Sequence, residues 1–190
     1  MTGSRDLYAS HLEGDMTARE LTSSAPDLFR HMKHLMFLHL GTLLNLTSLP
    51  EMDQLPSLKY LVLSTLHSVD HIPSLENLHG LRKVGIIDMI RVMELPSVHN
   101  LRHLNSFALT YRNPTCCNGF ITGECDLTNF SCLDRTAQGE PPVACTTKRG
   151  LPQDYVIMMQ TDGQVCESNQ TVELIDLMPT EASVDGACGG

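Results

Sequence analysis

Between residues 28 and 111 the apolar positions recur with a beat of 23 residues. Met32, Leu55, Leu78 and Leu101 open four copies, and Leu35, Leu58, Leu81 and Leu104 stand three places on. Leu38, Leu61, Val84 and Phe107 follow at six places, then Leu40, Leu63, Ile86 and Leu109 at eight. Polar or variable residues fall between these last two rows, and such alternation marks a short strand with one buried face. It predicts strands over Phe37–Gly41, Tyr60–Ser64, Lys83–Ile87 and Ser106–Thr110. Later in each copy the apolar residues come every third position, at Leu43, Leu46 and Leu49, at Leu66, Val69 and Ile72, and at Met89, Val92 and Leu95. That spacing suits an extended or 3₁₀ return path better than a long helix. Pro50, Pro73 and Pro96 close the three copies and remove an N–H that a helix would need.

A lone coil of this kind cannot hide its leucines, so each must stack on the next. The result is a parallel sheet on one side, irregular elements on the other, and a need for a cap at both ends. The pattern LxxLxxLxLxx(L/C)xx(L/V)xx(L/I)P resembles the leucine-rich repeat family, in the form similar to plant disease-resistance receptors. The resemblance covers Leu28 to Tyr111. It implies an α/β solenoid with a concave parallel sheet, used as a scaffold for binding a protein partner. On that sheet the side chains between the leucine rows are expected to stand free. The candidate partner-binding residues are Phe37, His39, Tyr60, Val62, Ser64, Lys83, Ile87, Asp88, Ala108 and Tyr111.

Residues 1–27 lie outside the register and read as an N-terminal cap or a degenerate repeat. Leu7, Leu12, Met16 and Leu21 fit a short amphipathic helix or a degenerate first repeat, and Ser23–Asp27 breaks the chain before Leu28. Residues 112–190 read as a cysteine-rich C-terminal cap and tail. Asn118 stands where the fourth copy, opened by Leu101, would place a leucine, and residues 116–132 are expected to cover the last coil with Phe120, Ile121, Leu127 and Phe130. The cysteine tail resembles those that follow the repeats of some oomycete leucine-rich repeat proteins. Residues 134–154 read as a loop. Thr161-Asp162-Gly163 is a hairpin signal between Tyr155–Gln160 and Gln164–Glu167, with Thr171–Leu177 as a third strand.

Charge narrows the partners. The chain carries 13 basic and 22 acidic residues, a net charge of −9, concentrated after residue 111. That sign repels phosphate backbones, so nucleic acid is not expected. No apolar run of about 20 residues is present to span a bilayer. All seven cysteines, Cys116, Cys117, Cys125, Cys132, Cys145, Cys166 and Cys188, are disulfide candidates confined to the C-terminal region. The neighbours Cys116 and Cys117 are expected to pair outward rather than with each other.

Asn45, Asn129 and Asn169 head N-x-[ST] sequons and are glycosylation candidates. Cysteines and sequons together favour an extracellular protein, or the exposed side of a membrane protein. The first fifteen residues lack the apolar core of a signal peptide, which suggests a fragment or a start further upstream. The nine histidines share no ligand register, so no metal or other cofactor is expected. No GxSxG, P-loop or HExxH is present, every histidine precedes the cysteine region, and no small-molecule substrate is evident. The expectation is a non-catalytic interaction module. The alternative is a fragment of a larger repeat receptor whose binding site lies upstream, and an enzyme with its chemistry in residues 112–190 ranks third.

Overall fold

The computed structural model describes residues 29–132, 140 and 142–166, together with the backbone of Asp6–Ser10. Five strands form one parallel sheet in sequence order: β1 (Asp6–Ser10), β2 (Phe37–Gly41), β3 (Tyr60–Ser64), β4 (Lys83–Ile87) and β5 (Ser106–Thr110). A 3₁₀ turn at Pro114–Cys116 and one helix, α1 (Pro152–Gln160), complete the elements. The chain winds as a solenoid of about three turns with little helix.

Strands β2 to β5 fall where the alternation places them, in a register that repeats the sequence beat. Leu38, Leu61, Val84 and Phe107 line up across the sheet, and so do Leu40, Leu63, Ile86 and Leu109. All eight are buried against the leucines of the return paths in one continuous core. Burying each such side chain contributes about 1.5–3 kcal/mol. The return paths turn tightly, with N–H donation from Leu46 to Leu43 O (3.1 Å), Val69 to Leu66 O (3.1 Å) and Val92 to Met89 O (3.2 Å).

The chain leaves each of β2 to β5 through a left-handed residue: Thr42 (φ 56°), Thr65 (φ 53°), Asp88 (φ 55°) and Tyr111 (φ 60°). The first three donate their N–H to the end of the next strand, at Ser64 O (3.0 Å), Ile87 O (2.9 Å) and Thr110 O (3.2 Å). Left-handed backbone at a non-glycine costs about 1–3 kcal/mol. Because it recurs once per coil, it is the corner of the solenoid and marks no single functional position.

The N-terminal region adds a strand that the beat of 23 did not place. Leu7 belongs to β1, not to a helix, and pairs with Leu38 in a parallel register that runs Asp6 to Phe37. That spacing is eight residues longer than the beat of the other strands. Leu12, Met16 and Leu21 lie outside the described residues, as does the question of what residues 11–27 cover.

The C-terminal region departs further. In the stretch that follows β5, Thr115 and Asn118 occupy the columns held elsewhere by apolar residues, and both are buried. Asn118 donates Nδ2 to Met93 O (2.9 Å) and accepts the Phe120 N–H (2.9 Å). Asn113 accepts the Met89 N–H (3.1 Å) and donates to Ile86 O (3.2 Å) and Thr110 O. Three disulfides then tie the cap: Cys116–Cys166, Cys117–Cys132 and Cys125–Cys145. The adjacent Cys116 and Cys117 thus pair outward; Cys188 is outside the described residues.

No hairpin forms around Thr161-Asp162-Gly163. The first arm is instead α1, because Pro152 starts a helix at its first turn, Asp154 sits favourably there, and Asp154 and Met158 bury one face four residues apart. The second arm runs along the free side of β5. Phe107 N–H donates to Thr161 Oγ1 (3.0 Å) and Leu109 N–H to Gln164 O (2.7 Å). Asp162 N–H donates to Asn105 O (2.9 Å) and Cys166 N–H to Leu109 O (2.8 Å). Gly163 permits this approach, since a Cβ there would lie 1.8 Å from Phe107 O. The third strand expected over Thr171–Leu177 lies outside the described residues.

Candidate functional site

The face of the sheet opposite the core carries the residues expected to contact a partner. β2 places Phe37, His39 and Gly41 there, β3 Tyr60, Val62 and Ser64, β4 Lys83, Gly85 and Ile87, and β5 Ser106, Ala108 and Thr110. They do not stand free. Phe37, Val62 and Ala108 are each 1% exposed, and with Tyr60 and Ile87 they form a second apolar cluster, separate from the leucine core. The Phe37 and Tyr60 rings lie 6.4 Å apart, tilted at 49°. His39 is buried beside Ser64, with Nε2 3.0 Å from Oγ, and its burial pushes the imidazole pKa down. The expectation of an open ribbon is therefore corrected. Large apolar groups left wet on a strand gain nothing, and here they pack as a second core.

The edge of that face is more accessible. Tyr111 is 42% exposed, while Lys83 and Asp88 are half-buried. Asp88 is held from two sides, by Arg112 (Nε to Oδ1 2.9 Å, Nη2 to Oδ2 3.0 Å) and by His67 Nε2 at 2.8 Å. Both carboxylate oxygens are occupied, so this cluster locks neighbouring coils together.

A second surface escaped the sequence. Helix α1 turns Tyr155, Val156 and Met159 to solvent, with Leu151 one turn before Tyr155; Val156 and Met159 are about half exposed. These positions follow helical spacing and make one stripe. Beside it lies a cleft of about 370 Å³ lined by Ile121, Gly123, Arg149, Pro152, Tyr155 and Val156. Arg149 Nη2 reaches Gly123 O at 3.4 Å, and a Cβ on Gly123 would come within 2.9 Å of that guanidinium. Gly123 has φ 80°, so glycine both permits the turn and leaves room for the arginine. Among the described residues Arg149 makes no ion pair. The signal for α1 was available in Leu151-Pro152-Gln153-Asp154, a proline and an acid in a first turn.

Beneath α1 Asp154 is buried and accepts from Ser97 Oγ (2.8 Å) and the Val98 N–H (2.9 Å). Ser97 Oγ also lies 2.6 Å from His99 Nδ1. The residue types are those of a hydrolytic triad, but the order is wrong. The serine hydroxyl sits between imidazole and carboxylate and donates its hydrogen bond to Asp154, so the imidazole is not the group that a carboxylate orients against the hydroxyl, as a triad requires. This network anchors the helix to the return path that follows β4.

Of the sequons, Asn45 and Thr47 are exposed, Asn129 is half-buried, and Asn169 is outside the described residues. Among the described residues no three histidine, cysteine or acidic side chains come together as a metal site, and no helix is long and apolar enough to cross a membrane. Compared with family models, with curated proteins and with solved structures, the chain matches none.

Proposed function

We propose that the chain is a non-catalytic protein-interaction module of the leucine-rich repeat type, working in an oxidising, extracellular setting. Its docking surface lies on the disulfide-stapled cap and not on the buried sheet face. The observation that carries this reading is the exposed stripe of Leu151, Tyr155, Val156 and Met159 beside the cleft that holds Arg149. Contiguous apolar surface of this kind is what a partner desolvates, and aromatic and arginine side chains are favoured at such centres. The charge fixes the occupant: a partner segment that sets an apolar side chain on Tyr155 and Val156 and a carboxylate on the unpaired guanidinium. The parallel solenoid and the three disulfides support the repeat type and the setting.

A random peptide library displayed on phage and panned on the oxidised full chain tests this. The expected winners pair Asp, Glu or a free C-terminus with Leu, Phe or Met, and lose at least tenfold in affinity against Arg149→Glu or Val156→Asp. Winners indifferent to both substitutions, or no enrichment at all, overturn the docking surface. A second reading, that the chain belongs to a longer array, draws on the sheet order. The outer side of β5 is bonded by residues 161–166, whereas no described strand lies outside β1. Upstream coding sequence carrying the same beat tests it.

A further inference from the structure

The sequence offers three glycan acceptors without ranking them, and the fold separates two of them by local geometry. Asn45 lies in the return path of the coil that begins with β2. The Leu46 N–H donates to Leu43 O at 3.1 Å, which makes Leu44 and Asn45 the central residues of a tight turn. Leu46 is fully buried while Asn45 and Thr47 on either side of it are exposed. The chain leaves the turn with the asparagine amide and the threonine hydroxyl of one sequon both directed to water. The same turn position in the next two coils is taken by Ser68 and Arg91, which are engaged: Ser68 Oγ with Leu44 O at 2.6 Å, Arg91 with Glu140 at 3.0 Å. Among the described residues the Asn45 side chain makes no hydrogen bond.

Asn129 has the same motif in an opposite environment. Its Oδ1 accepts the Ser131 N–H at 3.0 Å. Ser131 is fully buried, with its hydroxyl turned to Tyr111 O at 3.3 Å. The next residue, Cys132, is tied to the buried Cys117. A glycan here has to be carried at the seam that the disulfide closes.

We propose that Asn45 is an N-linked glycan acceptor and that Asn129 is not, so the sugar sits on the return-path side of the first regular coil and away from the cap. The modification joins the Asn45 Nδ2 to the anomeric carbon of an oligosaccharide carried on a polyprenyl diphosphate. The anomeric C–O bond breaks, the polyprenyl diphosphate leaves, and the amide proton passes to a base of the transferase. No oxidant or reductant takes part. The exposed Leu44 beside the acceptor is the surface the sugar would shield. This inference uses the sequon and the coil geometry, and stands whether or not the cap binds a partner.

The test is translation of the full chain, behind a cleavable leader, into microsomes. Asn169→Gln is placed in the background so that only two acceptors compete. The expected result is one glycan, removed by peptide-N-glycosidase, with Asn45 converted to Asp in peptide mass spectra. Asn45→Gln or Thr47→Ala should abolish it, and Thr47→Ser, which keeps the sequon, should retain it. Asn129→Gln should leave the band unchanged. An unmodified Asn45 in lumenal, protease-protected chain overturns the proposal, and so does stoichiometric sugar on Asn129. Only lumenal chains that have closed the Cys117–Cys132 bridge, separated on non-reducing gels, are scored, because the seam that excludes Asn129 exists only in the folded cap.

Discussion

The coils from Phe29 to Thr110 and the cap from Tyr111 to Cys166 are built from opposite materials. The coils hold no cysteine, and their inner columns are leucine, valine, isoleucine, methionine and phenylalanine, fully buried or nearly so. In the cap those columns turn polar at Thr115 and Asn118, and six cysteines supply three bridges. The difference follows from the number of neighbours. An inner coil is sheltered on both sides, so apolar burial suffices. The last coil has a neighbour on one side alone, and a further leucine there would face whatever follows it. Side-chain amides bonded to named backbone groups, and covalent ties over a thin core, do the same work at an end.

If this contrast is right, reductant should act on the two regions unequally. By the chain-entropy estimate a bridge spanning 50 residues, as Cys116–Cys166 does, contributes about 4 kcal/mol, and the two shorter ones about 3 kcal/mol each. Reducing all three should therefore release the cap in urea well before the coils, seen as two transitions by circular dichroism. A single unchanged transition in dithiothreitol would break the contrast. Within the coils, Leu61→Ala should cost about 2–5 kcal/mol, because Leu61 is wholly buried between neighbouring coils.

Next in size is Phe37→Asp, which puts a carboxylate into the cluster of Tyr60, Val62, Ile87 and Ala108. The expected loss is about 3 kcal/mol or more, against about 0.5 kcal/mol for Tyr111→Asp at the accessible edge. Equal, small losses would mean the sheet face is open after all and would restore it as a docking surface. Asn118→Leu sharpens the comparison at the boundary. It restores the apolar column yet strands Met93 O and the Phe120 N–H, so about 1–3 kcal/mol should be lost. A gain in stability would make the cap no more than a coil that lost its leucine.

The sequence disclosed the coils and concealed the cap, for a physical reason. A repeated coil states its rule four times, so the strands at Phe37, Tyr60, Lys83 and Ser106 could be placed to the residue. The cap states nothing twice. Tyr155-Val156-Ile157-Met158-Met159 is an apolar run that periodicity alone assigns to either strand or helix, and Pro152 with Asp154 decided it. Asn118 looked like the end of the pattern because its column is defined by apolarity; its hydrogen bonds come from Met93 and Phe120 on either side of the boundary. The sheet face misled in another way. Alternation says which side chains leave the leucine core, but it is silent on whether a second layer meets them. The local beat at Leu7 was hidden by the longer spacing between β1 and β2.

The smallest effect separates the regions by acidity. His39 is buried on the coil side, and burial lowers its pKa below the ordinary value of 6.5. The unfolded chain then binds a proton that the folded chain refuses, so stability is intact above 6.5 and falls as pH drops from there toward the lowered value. In the cap, Asp126 is exposed, and hydrogen bonds from Thr128 hold its carboxyl below the ordinary 3.8. Its contribution is present above that value and is lost only as pH falls through the lowered one. The coils should therefore soften first on acidification, in a window where the cap is still insensitive. Urea midpoints measured at pH 7.5 and pH 5.5 should differ for the wild type, and the difference should shrink for His39→Gln, an uncharged side chain of similar reach. If Asp126→Asn flattens that interval and His39→Gln does not, the titrating group lies in the cap, and the sheet face is not the buried layer its burial indicates.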